Sequence, residues 1–226
     1  MEASPGSKAI GVADRVSRLT SAFSENAIGT SATLQALLIR LYRGDPEALA
    51  HAHRVALLSV RIGEELGMAA RALDDLEQAS WLHDLGRLAI PDMPGADPEA
   101  LDGEGDRHRG EQVRAVQSIT QGTPFLHPAA EIVVASRECF DGSGVPTGLR
   151  GDAIPFGARI LHVADVFDSL TSLCIALAFT TESVNVELVR HSGSRFDPDV
   201  VAAWLRCSDE APAALVPWLS SRERRV

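Results

Sequence analysis

The sequence predicts an all-helical protein, and three observations carry that reading. Apolar residues recur at steps of three and four along most of the 226 residues, the period of a helix with one buried face. Asp45-Pro46 and Asp197-Pro198 each set an N-capping carboxylate before a proline suited to the first helical position. No stretch alternates apolar and polar residues over a useful strand length, and no internal repeat is visible.

The elements follow in order. A lead-in pair is expected over 11–23 and 30–42; the second carries Leu34, Leu37, Leu38 and Leu41 and stops at Gly44. Asp45-Pro46 opens a third helix expected to run to 67, whose face His51, Val55, Leu58, Ile62, Leu66 turns His51 inward. A fourth, over 70–85, aligns Leu76, Ala79 and His83, with Gly86 and Pro91 as stop signals. Residues 91–106 hold three prolines and three glycines and read as a long surface loop, a candidate lid. Helices are expected over 107–121 and 127–139, then an irregular loop over 141–151, whose four glycines and one proline exclude a helix. Helices over 155–173 and 182–191, and one opened by Asp197-Pro198, complete the chain. The organisation is a helical lead-in (1–44), a helical bundle (45–208) and a C-terminal tail (209–226).

Lysine and arginine number 21 against 31 aspartates and glutamates, a net charge of −10, so the chain lacks the basic balance that a nucleic-acid partner requires. The basic end around Arg222, Arg224 and Arg225 reads as a solubilising tail. No apolar run approaches the roughly 18 residues needed to cross a bilayer, so no membrane partner is expected. The start lacks an apolar signal core, and Cys139, Cys174 and Cys207 have no metal-type spacing; a reducing cytoplasm is the expected location. Trp204, Leu205 and Trp218 read as core or as a homodimer face.

The chemical question is why apolar helix faces carry histidine. A single inward histidine is more often a satisfied core residue than a ligand. Three features shift that balance. Glu47 lies one turn before His51 on the same face, so a carboxylate and an imidazole converge. His83 and Asp84 are adjacent at a helix end, free to reach a common ion. Asp165 sits inside the apolar run 160–167, where an unpaired charge would cost several kcal/mol unless a cation or arginine met it. Nitrogen and oxygen donors without thiolate suit Fe, Mn, Co or Zn in a hydrolytic site better than a structural zinc.

In this order, His51, His83-Asp84 and Asp165 resemble the His, His-Asp, Asp signature of the HD superfamily of metal-dependent phosphohydrolases. The blocks 45–55, 83–92, 140–146, 154–160, 163–171 and 196–198 are similar to the HD-GYP subgroup, in register over about 45–206. The resemblance implies an HD-domain helical bundle, Asp84 as a catalytic residue, and a metal held by Glu47, His51, His83, Asp84 and Asp165. Asp168 matches a family acid that orients a ligand or caps local charge. Active members hydrolyse cyclic di-GMP, a bacterial second messenger, at a centre of two or three metals.

The chain also departs from that pattern. Ser136-Arg137-Glu138 stands where the subgroup has His-His-Glu, Gln112 where it has a helix histidine, Val145 for the motif tyrosine and Arg87 for a lysine; an Arg-Pro-Tyr block expected soon after Thr171 is missing. What remains is a set for a single divalent transition-metal ion. A guanidinium has no lone pair to give, so Arg137 repels a second ion, yet with Arg87 it suits phosphate. The alternative is that both arginines pair with surplus acid. His53 and His162 fall off the ligand stripes and are expected at the surface or behind the ligands; His127 and His191 are expected at helix ends. Three readings stay open: a degenerate HD-GYP signalling protein that binds a cyclic dinucleotide or other phosphate ligand with weak or no turnover, an active one-metal phosphodiesterase, and a non-catalytic domain with a protein partner.

Overall fold

In the computed structural model, residues 12–25, 31–90, 103–172 and 180–207 are described, and they form ten α-helices and three short 3-10 turns. The helices are α1 (Val12–Glu25), α2 (Ser31–Leu41), α3 (Pro46–Glu65), α4 (Ala70–Leu82), α5 (Leu85–Ala89), α6 (Gly103–Thr120), α7 (His127–Ala135), α8 (Phe156–Ser172), α9 (Thr181–Arg190) and α10 (Pro198–Cys207). No named strand occurs among the described residues; Ser192 and Phe196 make an isolated bridge. The candidate lid falls largely on 91–102, and the expected Arg-Pro-Tyr position, Trp218 and the tail 209–226 likewise lie outside the described residues.

Capping follows the sequence chemistry. The Asp45 carboxylate accepts from the Ala48 amide at 3.0 Å with Pro46 in the first turn, and Asp197 accepts from the Asp199 amide at 2.8 Å. α3 lies at the centre, packed on α4 and α8, with α7 across α4 and α8. Its buried face runs Ala52, Val55, Ser59, Ile62. Leu76, Leu82, Ile160, Leu161 and Val163 join it in one continuous core that also takes in Leu34, Leu38 and Tyr42 of the lead-in.

Three expected elements differ, the first two for a visible local reason. Gly86 is no stop signal: α5 runs through it, and a Cβ there would collide with the Gln112 carbonyl, so glycine is what lets α5 lie directly on α6. The helix expected over 127–139 ends at Ala135. There the Ser136 hydroxyl turns back to the Val133 carbonyl at 2.8 Å, and the Phe140 and Asp141 amides donate to Arg195 and Ser194 carbonyls instead of continuing a helix. α6 starts at Gly103, ahead of the expected 107.

Candidate metal centre

The centre is built where α3, the α4–α5 junction and α8 meet. His51 projects from α3, His83 stands at the end of α4, Asp84 precedes α5, and Asp165 lies on the buried face of α8. One donor atom each from His51, His83 and Asp165 lie within 4.8 Å of one another. The His51 Nε2 is 3.1 Å from the His83 Nε2 and 3.3 Å from Asp165 Oδ1, which is 3.6 Å from the His83 Nε2. The two imidazoles and the carboxylate are nearly withdrawn from solvent, at 13, 2 and 9% side-chain exposure. Asp84 flanks them, with one oxygen 3.8 Å from each imidazole nitrogen.

The proton positions follow from the partners. The His83 Nδ1 donates to the Ser80 carbonyl at 2.6 Å, because a carbonyl only accepts. The His51 Nδ1 donates to Asp168 Oδ2 at 2.7 Å. Each ring therefore turns Nε2 inward, and in the neutral tautomers two nitrogen lone pairs and a carboxylate oxygen converge on one point. That is an electron-rich cavity that only a proton or a cation makes favourable. A histidine whose far nitrogen is fixed by a carbonyl or carboxylate is also the usual arrangement behind a metal ligand. The donor set thus fits a divalent ion of the Fe, Mn, Co or Zn type. Without the ion the cavity favours a proton: burial lowers the affinity of His51 for it, but the hydrogen-bonded carboxylates of Asp165 and Asp168 outweigh burial and raise its pKa to about 10.

Both site carboxylates are kept ionised. Burial would raise Asp84, but His83 and Arg87 pull it below the ordinary carboxylate value. For Asp165, burial is overcome by Arg137, then by hydrogen bonds from His51 and His83, which leaves it well below that value. The two arginines proposed from sequence do pair with acid, and the acids are those of the centre. Arg87 Nη1 meets Asp84 Oδ2 at 2.9 Å, and Arg137 Nη1 meets Asp165 Oδ2 at 3.0 Å. Arg137 holds Asp165 Oδ2 and leaves Oδ1 to the two imidazoles, whereas the Asp84 Oδ2 held by Arg87 also lies 3.8 Å from the His51 Nε2. Both arginines remain partly open to solvent, at 46 and 33% side-chain exposure.

Glu47 does not join the cluster. Its carboxylate is 72% exposed and accepts from Arg54 Nη2 at 2.9 Å. Asp168 is buried behind His51, held there by Arg54 Nε at 2.7 Å. Gln112 donates to the Ile90 carbonyl at 3.0 Å. His53 is exposed and stacks on Trp81, with ring centroids 5.5 Å apart. His162, expected at the surface or behind the ligands, is instead 4% exposed, because α8 is buried on most of its circumference. It donates from Nδ1 to the Glu138 carbonyl at 3.1 Å, and its Nε2 accepts from Arg195 Nε at 3.3 Å.

Sequence reasoning gave no role to Arg54 or Glu138, although Glu138 aligns with the glutamate of the His-His-Glu block. Arg54 was findable, three residues after His51 on one helix. The role of Glu138 was not: its buried carboxylate accepts from the Thr147 amide and hydroxyl, each at 2.7 Å, and from the Leu149 amide at 3.1 Å, so it ties down the glycine loop that follows Arg137. A glycine is needed at 144 because a Cβ there would strike the Cys139 amide and the Glu138 backbone.

Comparison with known proteins gives the family and the fold. Residues 34–200 match the HD domain family model. The chain is 35% identical over 167 residues to the 3'3'-cGAMP-specific phosphodiesterase 2 of Vibrio cholerae, covering 73% of this chain and 32% of that protein. It is 33% identical over 192 residues to the cyclic di-GMP phosphodiesterase response regulator RpfG of Xanthomonas campestris, covering 84% and 51%. The chain thus spans 32 to 51% of the length of these relatives. An HDG"Y"P protein of Bdellovibrio bacteriovorus shares the fold with a TM-score of 0.59 at 16% identity, over 86% of this chain and 63% of that one. No helix among the described residues is long and apolar enough to cross a membrane.

Proposed function

The chain belongs to the HD domain family, in its HD-GYP branch, and from that premise we propose that it is a cyclic-dinucleotide signalling protein that holds a single divalent ion and binds its phosphodiester ligand with slow turnover. The observation that carries the reading is the ion pair from Arg137 to Asp165. A permanent cation stands on the outer oxygen of the central carboxylate, at the position where the subgroup has a histidine ligand, and a guanidinium neither ligates nor tolerates a second ion beside it.

In this reading His51 and His83 hold the ion through Nε2, Asp165 through Oδ1, and Asp84 completes the set. A bound divalent ion supplies Lewis-acid polarisation of a phosphate oxygen and lowers the pKa of water. The protein's own residues do the rest. Arg87 and Arg137, each already anchored on a carboxylate, present N–H groups to the non-bridging oxygens of a phosphodiester, with the planar donor geometry that suits phosphate. Asp168 keeps the His51 proton on Nδ1, and the Ser80 carbonyl does the same for His83. Asp84, ionised and tied to Arg87, is the carboxylate that links the metal side of the centre to its phosphate side. The relatives named for cyclic di-GMP and 3'3'-cGAMP phosphodiesterase activity support a cyclic dinucleotide as the ligand class.

The test combines metal analysis of the purified chain with binding and hydrolysis assays on cyclic di-GMP and 3'3'-cGAMP. One ion per chain, saturable binding and hydrolysis slower by a factor of about 10² to 10³ than in a relative with the full ligand set are expected, the usual cost of losing one electrostatic stabiliser. Brisk manganese- or iron-dependent hydrolysis by the unaltered chain would overturn the proposal in favour of an active phosphodiesterase.

A further inference from the structure

We infer that Arg54 is a positioning residue for the metal centre: it holds Asp168 as the fixed acceptor for the His51 Nδ1 proton and so aims the His51 Nε2 at the ion. The inference rests on the proposed metal centre and concerns a residue outside its ligand set. Arg54 follows His51 by three residues on α3, so both side chains leave the same face of one helix. Across from them Asp168 projects from α8, buried. Arg54 Nε donates to Asp168 Oδ1 at 2.7 Å and its Nη2 to Oδ2 at 3.0 Å, a two-point grip that fixes the carboxylate plane. Oδ2 is also the oxygen that accepts from the His51 Nδ1 at 2.7 Å. The outer edge of the guanidinium is steadied by Glu47 at 2.9 Å.

The chain of contacts runs Glu47, Arg54, Asp168, His51, from solvent to the centre. Arg54 limits Asp168 and Asp168 limits His51, while Glu47, 72% exposed, adds only a solvated ion pair. Without Arg54 the Asp168 carboxylate keeps one contact to His51 and loses the two that set its orientation. The imidazole is then free to rotate or to move its proton to Nε2, and either change removes a lone pair from the donor set. Removing such an outer partner commonly costs about 10- to 100-fold in metal affinity.

The experiment measures zinc affinity by competition with a chromophoric chelator for the unaltered chain, Arg54→Met, Arg54→Lys and Glu47→Gln. The zinc-saturated proteins are then compared by NMR of ¹⁵N-labelled histidine. Arg54→Met should weaken zinc binding about 10- to 100-fold and, even at saturation, lose the solvent-protected Nδ1 proton signal of His51. Arg54→Lys, which restores a donor but not the fork, should recover part of both. Glu47→Gln, at the solvent end, should change affinity less than about threefold. A merely structural Arg54 would lower the melting temperature but leave the saturated His51 signal protected, and that result overturns the inference. So does a Glu47→Gln loss as large as that of Arg54→Met, since it makes Glu47 itself a holder of the ion. If the unaltered chain binds no zinc, the metal centre itself is refuted, a result distinct from either.

Discussion

Lowering the pH from 7 to 5 should remove about 2 kcal/mol of the stability that His162 contributes to the metal-free protein, a loss that His51 offsets only in part. Burial, then Arg195 and Arg137, lower its pKa from 6.5 to about 3. The cause is visible in its contacts: Nδ1–H is committed to the Glu138 carbonyl, and Nε2 accepts from the Arg195 guanidinium, so a second ring proton would face a cation. The folded pKa lies below the unfolded one, so the unfolded chain binds the extra proton first. The stability contribution is therefore complete above pH 6.5 and is lost as the pH falls from there toward 3. At about 1.4 kcal/mol per pH unit below 6.5, pH 5 corresponds to about 2 kcal/mol. The carboxylates of the centre titrate below this window, since Asp84, Asp165 and Asp168 are all lowered. His51 is raised, so its contribution is full below 6.5 and fades only as the pH climbs toward 10. Urea unfolding with chelator present, at pH 7 and pH 5, measures the difference. His162→Gln, which can donate to Glu138 and accept from Arg195 without titrating, should lose most of the pH dependence. Equal acid sensitivity in His162→Gln and the unaltered chain would refute the argument.

Other outcomes follow from the same contacts. His83→Ala and Asp165→Ala should abolish metal retention in elemental analysis, whereas His53→Ala, which removes a ring stacked on Trp81 away from the centre, should not. Chelation should lower the melting temperature in calorimetry, because an ion at about 100 times its Kd stabilises the folded state by about 2.7 kcal/mol. Arg137→Ala should weaken cyclic di-GMP binding about tenfold or more in equilibrium titration, the scale of one lost charge-assisted hydrogen bond. Glu138→Ala should reduce stability to urea by about 2 to 4 kcal/mol, since the Thr147 and Leu149 amides and the Thr147 hydroxyl lose a buried acceptor together.

The helices and the convergence of His51, His83 and Asp165 were legible in the sequence because both depend on local rules. A three-and-four spacing fixes which way a helical side chain points, and a carboxylate in an apolar run announces that something cationic must meet it. For Asp165 that cation includes Arg137, twenty-eight residues earlier in the chain, which only packing of the α7–α8 connection against α8 brings to hand. Glu47 shows the limit of the same rule. Its spacing places it on the His51 face, but in the first turn of α3 that face has already reached solvent, and Arg54 draws its carboxylate outward. Gly86 shows another: a glycine after a helix is ambiguous between a stop and a close approach, and the partner that decides, the Gln112 backbone, lies on a different helix. The surface alternative for His162 does not hold, because its ring is covered by the Glu138 carbonyl and by Phe196 of the 191–196 turn, and neither segment has a periodic signature.

The surroundings of Arg137 bear on whether it is part of the centre or an incidental neutraliser of surplus acid. Its backbone is fixed on both sides: the Ser136 hydroxyl is bonded to the Val133 carbonyl, and the Glu138 carboxylate holds the loop at Thr147 and Leu149. The Arg137 carbonyl itself accepts from the Val145 amide at 3.3 Å. An exposed arginine that pairs opportunistically gains little from such framing, because a solvated ion pair is worth at most about 1 kcal/mol. Here the framed residue delivers its guanidinium to an oxygen of a carboxylate only 9% exposed, on the side away from the imidazoles. The same loop that carries Arg137 is locked to His162 through the Glu138 carbonyl, and His162 in turn to Arg195. In the folded chain His162 takes up a proton only near pH 3, so between pH 7 and pH 5 the loop stays locked, and ligand binding through Arg137 should not follow the titration of this histidine. Titrations of cyclic di-GMP over that range, run on the unaltered chain and on His162→Gln, should therefore give the same pH dependence. A weakening toward pH 5 that His162→Gln removes would show that the loop opens by protonation of His162 in the folded chain.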